Sequence, residues 1–214
     1  MLLAKSETEM LYYWRRKHWD TFQQAAFGTH GIITFAQAKA IGVHSAEIYR
    51  WCKIGRLIKV GRGVFRLTTY PSRGFLSDMA ALLAFFGEGA YLYGESVLAL
   101  YELCPTRSYV AMVAVPGRMR KTNIPEGAVV VKAKRGYNHV YHEGIACQRP
   151  MDAIRSCIGV LERSRLMEAV DEAENKGYFM PAEAETLRKD IENGTASMRT
   201  KEDHCLFVPH VTRR

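Results

Sequence analysis

The chain has 214 residues, long enough to bury a core without disulfide or metal staples. Its composition, 48% hydrophobic, 24% charged and 11% aromatic, is that of a globular protein and excludes disordered, collagen-like and low-complexity classes. Thirty Lys and Arg against 22 Asp and Glu give a net charge of +8, which points to an anionic partner, nucleic acid or a membrane surface. The excess is local. Residues 1–75, up to the turn-like Tyr70-Pro71-Ser72-Arg73-Gly74, hold 12 basic and 4 acidic side chains, whereas residues 76–214 hold 18 of each. Basic surface can serve solubility alone. An excess confined to one third of the chain reads instead as a nucleic-acid-binding module joined to a second domain. The longest wholly apolar run, residues 79–86, is far short of the roughly 20 residues of a membrane span, so no membrane partner is expected. Residues 1–4 are apolar but give way at once to Lys5, Glu7 and Glu9, unlike a signal peptide. Five widely spaced cysteines, Cys52, Cys104, Cys147, Cys157 and Cys205, fit free thiols in a reducing cytoplasm.

In chain order, Ser6-x-x-Glu9 is a capping-box pattern ahead of Leu11, Trp14, His18, Phe22 and Ala25, which share one helical face, and a first helix is predicted over residues 7–27. His30-Gly31 ends it. Ile32-Ile33 reads as a very short strand, and Thr34 as the N-cap of a helix over residues 35–40. After the turn Ile41-Gly42-Val43, Ser45 can cap a further helix with Ile48, Trp51 and Cys52 inward and Ala46, Tyr49, Arg50 and Lys53 outward. Gly55 suits a left-handed C-terminal cap, and residues 57–60 and 64–67 flank Gly61-Arg62-Gly63 as a hairpin with a basic tip. This order is that of a winged helix-turn-helix, whose second helix enters the major groove of DNA.

Between residues 50 and 66 stand six bases, Arg50, Lys53, Arg56, Lys59, Arg62 and Arg66, and no acid. If all six met phosphates, log K would fall with log salt at a slope of roughly −5. A winged helix used for protein contact is the competing reading. It would call for an apolar patch rather than a Lys and Arg stripe with Tyr49 as its exposed ring. The expected DNA contacts are therefore Ser45, Tyr49, Arg50, Lys53, Arg56, Lys59 and Arg66, with Arg62 reaching a minor groove or the backbone.

The run GIITFAQAKAIGVHSAEIYRWCKIGRLIKVGRGVFRL, residues 31–67, resembles the N-terminal domain of AbiEi-type antitoxins in its Gly-x-hydrophobic-Thr entry, Gly-Val turn, Gly-Arg-Leu step and Arg-Gly-Val-Phe-Arg wing. Residues 79–103, MAALLAFFGEGAYLYGESVLALYEL, resemble the family's next segment of helix, short extended piece and helix. The resemblance implies an antitoxin that represses its own operon at inverted repeats in double-stranded operator DNA and counters a nucleotidyltransferase toxin. No neutralisation residue carries over by motif.

From residue 76 onward an α+β domain is expected, making the whole chain an N-terminal winged helix-turn-helix followed by a mixed α/β C-terminal domain. Residues 77–86 and 95–103 read as helices around the break Gly87-Glu88-Gly89. Residues 109–115, 128–133 and 140–147 read as three strands, then 151–161, 165–176 and 182–192 as helices. The tail from 193 has weak periodicity and reads as loosely ordered, with an edge strand conceivable over 205–208. A second basic surface is formed by Arg118, Arg120, Lys121, Lys132, Lys134 and Arg135, joined by Arg107. It reads either as a solvated face or as a surface for a toxin's acidic rim or further DNA.

Enzyme motifs are wanting. His139-x-x-His142-Glu143 has the wrong order for a zincin helix and lies in an expected strand, so no metal is assigned. Cys104 and His204-Cys205 lack the partners of a nucleophile. Gly94-Glu95-Ser96 resembles a nucleotidyltransferase start, but only Glu102 follows before Arg107, too few acids to hold Mg²⁺. Gly87-Glu88-Gly89 lacks a phosphate loop's Lys-Ser/Thr. A non-enzyme without cofactor is expected. A winged-helix regulator of another operon, with a C-terminal interaction or ligand module and no toxin, is the alternative, and a neighbouring nucleotidyltransferase gene discriminates the two.

Overall fold

The computed structural model describes residues 7–71, 74–105, 110–117 and 124–194. Two compact units divide at residues 85 and 86.

The first unit runs α1 (Glu7–Phe27), β1 (Ile32–Thr34), α2 (Phe35–Ala40), α3 (Ser45–Lys53), β2 (Leu57–Gly61), β3 (Val64–Leu67) and α4 (Phe75–Phe86). Its helices start and stop where short-range chemistry dictates. Thr34 caps α2 in a reciprocal box, with the Gln37 amide donating to its hydroxyl at 3.2 Å and its own amide donating to Gln37 Oε1 at 2.8 Å. Gly55, at φ +74°, closes α3 in a Schellman motif: its amide reaches Cys52 O, and the Arg56 amide reaches Trp51 O. The expected cap of α3 is corrected. His44 holds the extended N-cap position and Ser45 is already the first helical residue, with no side-chain cap bond. Ser6, Leu11 and Trp14 lie outside what can be described of α1.

An antiparallel sheet in the order β1-β3-β2 divides the unit into layers. On one face Ile33, Phe65, Leu57 and Leu67 meet Phe22 and Ala26 of α1, Ile48 and Trp51 of α3, and Ala38 and Val43. Trp51 is fully buried, with Trp19 and Phe22 each at 4.9 Å between ring centroids in edge contacts worth about 0.5–1.5 kcal/mol beyond area burial. The inward stripe of α1 thus runs through Trp19, Phe22 and Ala26, one step round from Ala25.

The other sheet face, bearing Ile32, Val64 and Arg66, is served by α4. Ser77 Oγ donates to His30 O at 3.1 Å, Arg66 pairs with Asp78 at 2.7 Å, and Phe85 lies where a Gly61 Cβ would stand 3.2 Å from it. These contacts tie α4 to the first unit. That unit therefore extends ten residues past a boundary drawn at residue 75 from the turn signal.

The second unit contains β4 (Tyr91–Leu92), α5 (Glu95–Leu100), β5 (Ala111–Val115), β6 (Ala128–Lys132), β7 (Val140–His142), β8 (Ile145–Cys147), α6 (Pro150–Cys157), α7 (Arg163–Asn175) and α8 (Pro181–Glu192). Its sheet has the order β6-β5-β4-β8-β7, with β5–β6 and β4–β8 parallel and the other pairs antiparallel. The stretch 140–147, expected as one strand, is a hairpin: Glu143 and Gly144 both take positive φ, 47° and 78°, and reverse the chain. Leu92, Val113, Val130, Ile145 and Cys147 share one fully buried face, and the Cys147 thiol approaches the hydroxyl of Tyr101, just past α5. Gln148 satisfies the buried polar groups here, accepting from the Gly94 amide at 2.8 Å and donating to Ser156 Oγ at 3.2 Å. α7 and α8 pack as a pair through Leu166, Val170 and Ala173 on one side and Ala184, Leu187 and Ile191 on the other. The architecture is mixed α/β, a winged-helix-like unit followed by a sheet-and-helix unit.

Candidate nucleic-acid interface

Burial of Ile48 and Trp51 fixes which side of α3 faces out: Ser45, Ala46, Tyr49, Arg50 and Lys53 are all exposed. Tyr49 is 58% exposed and stands edge-on to Phe35 at 5.7 Å. Phe35 also donates its backbone amide to Gly63 O at 2.9 Å, while Gly63 takes φ +72° at the tip of the β2–β3 hairpin. One residue at the start of α2 therefore touches both Tyr49 and the wing tip, which makes the outward side of α3 and the hairpin neighbours. Arg62 stands exposed at that tip.

The six basic residues do not fare alike. Lys53, Lys59 and Arg62 are exposed and form no ion pair among the described residues. Lys59 pairs in register with Phe65, on the α3 side of the sheet, close enough to pull against the upward shift that burial gives the Cys52 thiol. Arg50 lies 3.9 Å from Glu47, which is also 3.0 Å from His18 Nδ1. Arg56 places its guanidinium 4.8 Å from the centroid of the Trp19 ring, a cation–π contact. Arg66 departs from the expectation. Strand alternation turns it away from Phe65 and Leu67 onto the α4 side, where it is 17% exposed and held by Asp78. The acid Glu47 was the unread feature of this surface, although its i,i+3 spacing from Arg50 was visible. Ile54, Ile58 and Val60 are also exposed, so the stripe is not purely basic.

In the second unit, Lys132, Lys134 and Arg135 are exposed at and beyond the end of β6. Arg107, Arg118, Arg120 and Lys121, and the tail with His204 and Cys205, lie outside the described residues. His142 stacks on Tyr101 at 3.9 Å and His139 on Tyr91 at 5.6 Å, and no group of three metal-ligating side chains occurs among the described residues. Burial pushes the Cys147 thiol up to about 11 and raises Cys104, the reverse of an activated nucleophile. No described helix is long and apolar enough to cross a membrane.

Residues 24–68, from the last turn of α1 through β3, match the family model described as "Transcriptional regulator, AbiEi antitoxin". No curated protein matches the chain. The match spans the turn, α3 and the wing just built from Phe35, Tyr49 and Gly63, and over these residues the N-terminal domain is similar to the AbiEi antitoxin family of transcriptional regulators.

Proposed function

We propose that the chain is an operator-binding antitoxin. Its N-terminal unit represses its own operon at inverted repeats, and its C-terminal unit carries the opposition to a nucleotidyltransferase toxin encoded with it. The observation that carries this reading is the junction at Phe35, which sets an exposed helix face with Ser45, Tyr49, Arg50 and Lys53 beside a hairpin with Lys59 and Arg62. A helix of this kind fits a major groove, where Arg50 and Lys53 can donate to guanine edges or to phosphates, while Arg62 follows the backbone into the next groove. Arg56 adds charge at the rim; Arg66, held by Asp78, is left out of the contact set.

Arg50→Ala with Arg62→Ala removes one contact from the helix and one from the wing, and should weaken promoter binding at least about 30-fold, at roughly 1–3 kcal/mol per contact. Unchanged gel-shift affinity at moderate salt would sink the assignment. The same double variant, co-expressed with the neighbouring toxin, should still protect cells. Loss of protection together with loss of DNA binding would place neutralisation on the N-terminal unit instead.

A further inference from the structure

The C-terminal unit holds a pile of rings with one open end. Tyr91, in the central strand and 3% exposed, stacks with Tyr137 at 5.2 Å and with His139 at 5.6 Å, with interplanar angles of 27° and 15°. Tyr137 is locked, its hydroxyl donating to Asp152 Oδ2 at 2.8 Å and accepting from the Arg149 amide at 3.1 Å. His139 meets Tyr141 at 5.3 Å, and its Nε2 lies 3.3 Å from the Tyr141 hydroxyl. Tyr141 belongs to the edge strand β7 and is 70% exposed. A ring so exposed, on a foundation so fixed, would lose little entropy on gaining a partner.

Positive charge adjoins the pile at Tyr137, its locked member. Lys134 and Arg135 occupy the turn closed by the Tyr137 amide on Lys134 O at 3.1 Å, and Arg149 adjoins Tyr137 through its own amide. All three side chains are exposed and form no ion pair among the described residues. Of the acids closest in sequence, Asp152 is engaged by Tyr137 and Glu143 sits at the tip of the β7–β8 hairpin.

We propose that this surface binds single-stranded nucleic acid, bases stacking on Tyr141 and His139 while phosphates meet Lys134, Arg135 and Arg149. Cations alone would suit any polyanion; planar rings joined to them through the same pile select a ligand with planar faces to offer. A duplex hides those faces in its own stack, so the strand must be single. The proposal does not rest on the operator reading, which concerns the other unit and double-stranded DNA.

The test uses the full chain carrying Arg50→Ala and Arg62→Ala, so that the N-terminal surface contributes little, and a fluorescent uridine dodecamer followed by anisotropy. Adding Tyr141→Ala should weaken binding about 10-fold, and His139→Ala should act in the same direction, whereas Tyr141→Phe should keep the affinity because the ring remains. Lys134→Ala with Arg135→Ala should flatten the salt slope by about 1.4, at roughly 0.7 per phosphate on a single strand. Binding unchanged by Tyr141→Ala overturns the proposal. So does a polyglutamate peptide held as tightly as the dodecamer and indifferent to Tyr141→Ala, which would make the surface a dock for acidic protein.

Discussion

In the C-terminal unit the arginines of the helical layer end on carboxylates: Arg155 on Asp190 at 2.9 Å, Arg165 on Glu95 at 3.3 Å, Arg188 on both Asp171 and Glu174. In the N-terminal unit Lys53, Lys59 and Arg62 end in solvent, and the one close arginine–carboxylate pair among the described residues, Arg66 with Asp78, lies on the far side of the sheet from α3. For part-buried pairs such as these the Coulombic gain is largely offset by desolvation and side-chain entropy, so stability is not the main difference between the units. The consequence of the pairing is electrostatic. Paired charges cancel at a distance, whereas unpaired cations on one surface sum to a field that steers an anion toward it. With Asp78 counted in it, the first unit carries 12 basic and 5 acidic side chains, so seven of the chain's eight net positive charges belong to that unit.

Core substitutions give the largest means of separating the units. Trp51→Ala removes a fully buried indole that bridges α1 and α3, and should cost about 3–5 kcal/mol in urea unfolding and abolish operator binding with it. Leu92→Ala, fully buried in the second unit's central strand, should cost about 2–5 kcal/mol yet leave the operator affinity of the folded fraction unchanged. Equal damage to DNA binding from both would show that the units depend on one another.

Charge deletions should separate along the same line at smaller scale. Arg188→Ala breaks two pairs that are each about a third exposed or more on one side, and should lower stability by roughly 1 kcal/mol with no change in DNA affinity. Lys53→Ala should do the reverse: stability within about 0.5 kcal/mol, operator binding weaker, and a salt slope shallower by about 0.9.

The first unit was far more legible in the sequence than the second. Thr34, Gly42 and Gly55 announce helix ends by residue type alone, and the apolar spacing of Ile48 and Trp51 settles which side of α3 is buried. The second unit is built from pieces too short to show a period. Tyr91–Leu92 is only two residues long, and its place at the centre of the sheet comes from pairing with Val113, Ala114 and Cys147, all distant in sequence. Glu143-Gly144 was unreadable for a different reason. Two-residue hairpin turns favour Asn-Gly or Asp-Gly, and glutamate at φ 47° gives no such signal, so the strand pattern runs through it unbroken. In the interface, strand period places Arg66 opposite Phe65 and Leu67, yet nothing local says that α4 and Asp78 wait on that side.

Arg62 and Arg66, four residues apart on one hairpin, carry the smallest and sharpest form of the contrast. Arg62 is exposed at the tip, so Arg62→Ala should flatten the salt slope by about 0.9 and leave stability within about 0.5 kcal/mol. Arg66 is mostly covered, its Nε buried without a hydrogen-bond partner while the outer nitrogen pairs with Asp78. Arg66→Ala should therefore lower stability by about 1 kcal/mol, largely through the lost packing of its stem, and leave the salt slope where it was. Asp78→Ala supplies the discriminating arm. It leaves the same guanidinium covered and unpaired, so it should destabilise more than Arg66→Ala does, again without touching the slope. A slope that falls by about 0.9 in Arg66→Ala would mean that the guanidinium leaves Asp78 when DNA arrives and that the wing binds with both arginines.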